Sequence, residues 1–198
     1  MGYYWGRFEQ RNNDFFRLDT RIYLKPIVRP SSKDVCIGAV VGKNPGSAKP
    51  YDYNSSSLQK IELDTDKFLP NIYSIFKQAY QRANKPIPES SYIQVLNLLY
   101  VCDIKPEQAI KKIKIHDHPP ICDTEERAFP FLWYLWGSSH KKLNDYKPRI
   151  FNIQSDKHFY LDTHTKEVIH TPPELHSAAK HTQGLKHDLI VPFISKIL

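Results

Sequence analysis

The segment Gly42-Lys43-Asn44-Pro45-Gly46-Ser47-Ala48 has the clearest chemical content in the chain. It is not a phosphate-binding P-loop. That loop needs four residues between its first glycine and the Gly-Lys pair, whereas Gly38 to Gly42 leaves three, and no Ser or Thr follows Lys43. Two glycines and a proline around one amide instead make a stiff turn that aims Asn44. An amide can hold a water molecule or read a base edge, but it cannot take up a proton near neutral pH. A plain strand-to-helix turn satisfies the same local pattern.

Other chemistry-bearing residues are scattered. Asn97 interrupts the apolar run Val95-Leu96-Asn97-Leu98-Leu99 and could either read a base edge or tie down strand backbone. Tyr51 and Tyr53 follow the turn, as stacking rings or as surface tyrosines. The stretch 170–187 carries His170, His176, Lys180, His181, Lys186 and His187, a basic composition suited to gripping phosphates or to a solvated surface. His116-Asp117-His118 with Cys122 offers metal-type ligands but no second ligand pair at a sensible spacing, so no metal and no cofactor are expected.

These residues need elements to position them. Val35-Cys36-Ile37-Gly38-Ala39-Val40-Val41 and 92–100 are apolar runs without a polar face, as expected of strands buried on both sides of a parallel sheet. Ile72, Ile75, Phe76, Ala79 and Tyr80 recur at helical spacing and predict a helix over 70–83. Lys105-Pro106-Glu107 opens a second helix reaching Ile113, and Asp123-Thr124-Glu125-Glu126 is a helix-starting cluster. A third buried strand is expected in the second half of 131–137, with further strands at Arg149–Ile153 and His158–Leu161. The tail, 185–198, reads as a closing helix. Partial alternation over 15–24 predicts a strand or hairpin in an N-terminal extension, 1–30, to a single domain spanning 1–198. Strands alternating with helices argue an α/β layered domain with a mostly parallel sheet, whose crevice lies beyond the carboxyl ends of the strands.

The 198 residues are 40% apolar and 25% charged, the balance of a soluble globular chain. No apolar run approaches the ~18 residues of a membrane span, and Met1-Gly2-Tyr3-Tyr4-Trp5-Gly6 has neither a secretory nor a myristoylation layout. A cytoplasmic address and no membrane partner are therefore expected. Lys plus Arg number 28 against 21 Asp plus Glu, a formal charge of +7 that suits a polyanion but also describes a merely basic soluble protein. Cys36, Cys102 and Cys122 are too few for a disulfide framework.

The turn resembles the first motif of the uracil-DNA glycosylase superfamily, nearest to the Gly-x-Asn-Pro-Gly form of its mismatch-specific branch. Four further segments are similar to the family's in the same order: Leu69–Lys77 to the following helix, Val95–Leu99 to the strand with the base-reading Asn, Leu132–Gly137 to the Leu-Leu-Trp-Gly strand, and His170-Thr171-Pro172-Pro173 to its His-Pro-Ser-Pro motif. The match covers roughly residues 35–185. The turn also resembles that of an uncharacterised bacterial and phage domain family.

The resemblance implies a three-layer α/β/α sandwich around a central, mostly parallel four-stranded sheet. It also implies a monofunctional DNA N-glycosylase that flips a base from double-stranded DNA and leaves an abasic site, acting as a monomer. Asn44 would position the water and His170 would donate to the departing base. Gly42, Lys43, Pro45, Gly46, Tyr51, Tyr53 and Asn97 would form the base pocket, and Leu175, His176, Lys180, His181 and Lys186 the DNA-binding loop, with Leu175 as wedge. Gly46 stands where the uracil-removing branch has a Tyr that blocks the base's 5-position. A 5-substituted base is therefore expected, such as the glucosylated hydroxymethylcytosine of phage DNA removed by a defence branch of the superfamily. Uracil or a mismatched base is the alternative substrate, and a non-catalytic DNA-binding protein the alternative class.

Overall fold

The computed structural model describes residues 3–47, 49–53, 55–63, 65–137 and 141–198; Met1, Gly2 and the turn's Ala48 lie outside them. The chain opens with a hairpin of β1 (Tyr3–Arg11) and β2 (Asp14–Tyr23), which pair antiparallel. Then come β3 (Val35–Gly42), the short β4 (Lys49–Pro50) and β5 (Gln59–Glu62), α1 (Phe68–Arg82) and β6 (Ser91–Asn97). The rest is α2 (Pro106–Ile113), β7 (Leu132–Tyr134), α3 (Lys147–Phe151), β8 (His158–Leu161), β9 (Val168–Ile169) and α4 (Val191–Ile197).

Among the described residues nine strands join one sheet in the order β4-β5-β1-β2-β6-β3-β7-β8-β9. The expected four-stranded, mostly parallel sheet is thus corrected to a nine-stranded mixed one. β6-β3-β7-β8 run parallel at its centre, and the pairings outside them are antiparallel. The N-terminal segment is no appendage either. β2 pairs with β6, and its Phe16, Leu18 and Ile22 are buried in the core.

Helices cover both faces. Val40, Val95, Trp133 and Phe159 pack on one face with the apolar stripe of α1 (Leu69, Ile72, Ile75, Phe76, Ala79) and with Ile194 of α4. Ala39, Val41, Leu96 and Tyr134 pack on the other with Ala109 and Ile110 of α2 and Ile150 of α3. Neighbouring residues of β3 alternate between the two cores, which is why this strand has no polar side. At the start of α1, Asp66 accepts the Phe68 N–H at 2.7 Å, satisfying one of the donors a helix leaves free at its first turn. Pro192 falls in the first turn of α4, where a missing N–H does no harm.

Three local expectations are corrected. Arg149–Ile153 is not a strand: Lys147–Phe151 is helical, with Pro148 in its first turn. A five-residue apolar segment carries too little periodicity to separate the two. Asp123–Glu126 closes as a 3-10 turn and goes no further. The strand in 131–137 is Leu132–Tyr134, earlier than its expected second half, because only these residues lie between β3 and β8. Among the described residues no helix is long and apolar enough to cross a membrane.

Gly38 sits at an irregularity in the β3–β6 ladder with φ +152°, and a Cβ there would lie 2.2 Å from the Phe131 ring. Phe131 itself stacks on Phe76 of α1 with centroids 5.7 Å apart, so the ring cannot move without disturbing the helix. Gly38→Ala should destabilise the fold by roughly 2–4 kcal/mol from overpacking plus backbone strain. Urea unfolding measures this, and an unchanged midpoint would show that the ring has room to yield.

Candidate active site

The site is built at the carboxyl ends of the parallel strands. From β3 the chain crosses through α1 to β6 on one side. It then returns through α2 to β7 on the other side of β3, so the outgoing loops part and leave a crevice at this end of the sheet. A cavity of about 610 Å³ opens there, within the ~300–1,000 Å³ usual for small-molecule sites. Its walls are the turn after β3 (Gly42 to Ser47), the start of α1 (Thr65 to Phe68 and Asn71), Ile104 and Pro106 after β6, Gly137 after β7, and the loop His181 to Gln183.

Asn44 is fixed by its neighbour loop: its Nδ2 donates to the Asp103 carbonyl at 2.5 Å. That bond uses one of the amide's two N–H donors, and Oδ1 remains an acceptor. Gly46 takes φ +72° and has nothing within 4 Å of where a Cβ would stand. The turn conformation alone selects glycine there, and the space beside it is open as well.

Gly42 is the strand end, in register with Asn97. A Cβ on Gly42 would come 2.8 Å from Asn97 Oδ1 and 3.1 Å from Phe68, so the bare backbone lets both side chains close on it. Asn97 is buried behind Gly42 and does not itself line the cavity. Among the described residues its Nδ2 has no hydrogen-bond partner, while its carbonyl accepts from Arg149 at 2.9 Å.

His181 is brought in by a pairing distant in sequence. Gly137 N–H donates to the Ala179 carbonyl at 2.5 Å, which docks the 179–183 segment at the end of β7. The His181 ring stacks on Phe68 with centroids 5.1 Å apart and planes at 28°. Its Nδ1 accepts the Gln183 N–H at 3.1 Å, so a neutral ring carries its proton on Nε2. Burial first, then the Lys43 and Lys180 charges, push this imidazole down to about 4 against an opposing pull from Asp66. His181 is therefore a neutral hydrogen-bond donor at physiological pH.

Lys43 lies on the same wall, and burial lowers its amine below the ordinary lysine value, opposed by Glu107. Gly137 takes φ +79°, and a Cβ there would be in ordinary contact, 3.4 Å from His181 Cβ and 3.5 Å from Lys43 Nζ, which places the amine beside the residue that follows β7. Asp66, also on the wall, lies 4.0 Å from Arg17, whose side chain is buried in the sheet.

Of the residues singled out from the sequence, Gly42, Lys43, Asn44, Pro45, Gly46 and His181 meet at the cavity. His170 does not: it is exposed after β9 with its ring against Phe193, centroids 4.7 Å apart. The histidine that lines the cavity is His181. Tyr51 and Tyr53 are 73% and 53% exposed and line no part of the cavity, Tyr53 resting edge-on against Phe15. Phe68 is the aromatic ring that is there. Leu175 also lies off the wall, its carbonyl capped by the buried Lys147 amine, and His176 turns to Asn144 at 3.2 Å. The exposed apolar residue on the wall is Ile104, at 75%. Lys180 and Lys186 stand outside the wall, Lys180 close enough for His181 to feel its charge. His116 is committed to Asp14 at 3.0 Å, and among the described residues no group of three or more potential metal ligands gathers.

Phe68, Asp66 and Asn71 were not foreseen. Phe68 sits two residues before the expected helix start at 70, and nothing in its local sequence marks it as part of a pocket. Compared with known proteins, the chain matches no family model, no curated protein and no solved structure.

The state of His181 has a consequence for stability. The unfolded chain's histidine takes up a proton near 6.5, while the folded one resists until about 4. Stability should therefore fall as pH drops from about 6.5 towards 4, because the unfolded state binds the extra proton. His181→Gln has no proton to gain and should lose less over that interval. Urea midpoints at pH 7, 5.5 and 4.5 for both proteins test this, and parallel losses would refute a neutral buried His181.

Proposed function

We propose that the chain is a DNA glycosylase that hydrolyses the N-glycosidic bond of a flipped, 5-substituted base. In this reading β6-β3-β7-β8 and their flanking helices are a uracil-DNA glycosylase-like core carrying five added strands. The observation that carries it is the meeting of Asn44 and a neutral His181 on one cavity at the carboxyl end of β3.

Cleavage of a base–sugar bond passes through an oxocarbenium-like sugar and an electron-rich departing base. Asn44, its nitrogen held by Asp103, offers its oxygen to a water beneath the sugar. It positions that water without deprotonating it. Charge grows on the base oxygen as the bond breaks, and the Nε2–H of His181 is a donor ready to meet it. A donor aimed at a developing oxyanion contributes about 10²–10³ in rate. The neutral state matters here: an imidazolium would already carry its charge before the reaction, whereas a neutral donor strengthens its bond as the anion forms. The Lys43 ammonium adds a fixed positive charge beside it.

Phe68 supplies an aromatic wall, and stacking a base on such a ring is worth about 1–3 kcal/mol. The unpartnered Asn97 amide behind Gly42 is a donor in wait for an acceptor. At the rim, exposed Ile104 is the type of apolar side chain that enters an opened base step. The formal charge of +7 suits the phosphate backbone.

Substrate width follows from Gly46. A group on the base's 5-position would meet open space there, which favours bulky modified cytosines such as the glucosylated hydroxymethyl form. Duplexes carrying cytosine, hydroxymethylcytosine, its glucosylated form and uracil, scored for alkali-labile abasic sites, test the reading. Release from a modified-cytosine duplex is expected. Gly46→Tyr should abolish it, while Gly46→Asn, a residue that tolerates the same left-handed turn, should preserve it. Release from uracil alone, insensitive to Gly46→Tyr, would make this a uracil glycosylase; no release from any duplex would leave a DNA-binding protein.

A further inference from the structure

The reading above leaves Lys43 as a bystander charge, yet its placement is unusual for a lysine. It follows the last residue of a central strand, is half-buried, and brings its amine to the wall that holds Asn44 and His181. No ion pair engages it among the described residues, although Glu107 lies near enough to act on its charge. The Lys43 Nζ lies beside Gly137, which also lines the cavity. The other lysine of the cavity, Lys67, is exposed. An amine held out of water loses its proton more readily and becomes a nucleophile towards carbonyl carbon.

We propose that Lys43 is a Schiff-base nucleophile towards the abasic sugar, giving the protein a lyase activity on abasic DNA in addition to base removal. The proposal rests on the glycosylase reading for where the sugar sits, and it contradicts the single-step activity that the sequence resemblance implies.

The chemistry balances without an added cofactor. An abasic deoxyribose opens to an aldehyde at C1′. The Lys43 ammonium gives up a proton and its amine adds to C1′. The aldehyde oxygen takes that proton and the one released from nitrogen and leaves as water, and a C=N iminium forms that keeps the positive charge at the same place in the cavity. The iminium acidifies the C2′ proton. Loss of that proton to a base drives out the 3′-phosphate with the electrons of the C3′–O bond, leaving an unsaturated sugar on one strand end and a 5′-phosphate on the other. Asp66 is the carboxylate on the same wall and is the acceptor for that proton. Hydrolysis of the iminium then returns the free lysine.

The test uses the whole chain and a duplex with a preformed abasic site, so no base has to be removed first. Incubation with sodium borohydride should reduce the iminium and leave a covalent protein–DNA adduct visible on a denaturing gel. Peptide mapping of the wild-type adduct should place the reduced sugar on Lys43. Lys43→Arg, which keeps a positive charge but offers no free amine, should lose the adduct by at least tenfold. Lys33→Gln, at an exposed position that lines no part of the cavity, should retain it. Absence of an adduct, or an adduct mapped to Lys67 or the N-terminus, would overturn the proposal, and the mapping decides even if Lys43→Arg fails to fold. The outcome is separable from that of base removal. Abasic sites released from the modified duplexes without an adduct would leave the glycosylase reading standing and this one refuted, and an adduct without base release would do the reverse.

Discussion

Parallel pairing of β3 on both sides is the constraint from which the rest follows. β3 takes β6 as one neighbour and β7 as the other, so the three strands end together and their loops must leave from one edge. Both faces of these strands are buried, and Gly42 can end β3 only because it has no side chain to strike Asn97 or Phe68. The turn that follows, tied to the next loop by Asn44 and Asp103, is thereby held against the start of α1. The added antiparallel strands β1 and β2 extend the sheet beyond β6 and contribute Arg17, which reaches Asp66 at the cavity wall.

Electrostatics at the cavity follow from the same closeness. Burial disfavours charge on both Lys43 and His181, and the Lys43 charge adds to the pressure on the imidazole. The imidazole yields its proton and the amine is drawn towards doing so. The result is one donor without charge and one cation with a weakened hold on its proton, next to an amide that can only orient water. Such a set suits a reaction whose difficulty is charge on the leaving group.

Much of the core was legible from residue pattern. The buried runs of β3 and β6, the 3.6-residue stripe of α1 and the His158–Leu161 strand all lie where periodicity places them. The turn at 42–46 could be read as a device for aiming Asn44 because Gly, Pro and Asn have strong local preferences. What was not legible depends on contacts far apart in the chain. β4 and β5 are two and four residues long, too short for any pattern. Arg149–Ile153 has apolar residues compatible with either period. His170 carries the conspicuous Pro-flanked setting, yet the Gly137–Ala179 contact delivers His181 instead. Phe68 was hidden for the same reason, since stacking on His181 joins residues more than a hundred positions apart.

The central claim is that Asn44 serves chemistry and not DNA affinity, because a hydrogen bond to the Asp103 carbonyl holds its amide on the cavity wall and an amide oxygen can accept from a water. The most direct measurement is single-turnover base release by Asn44→Ala from a duplex that the wild type cleaves, with the dissociation constant determined on the same duplex. The account predicts release slowed by at least a hundredfold, with affinity within a few fold of wild type. Release at the wild-type rate, or a loss of binding that accounts for the whole effect, would contradict it.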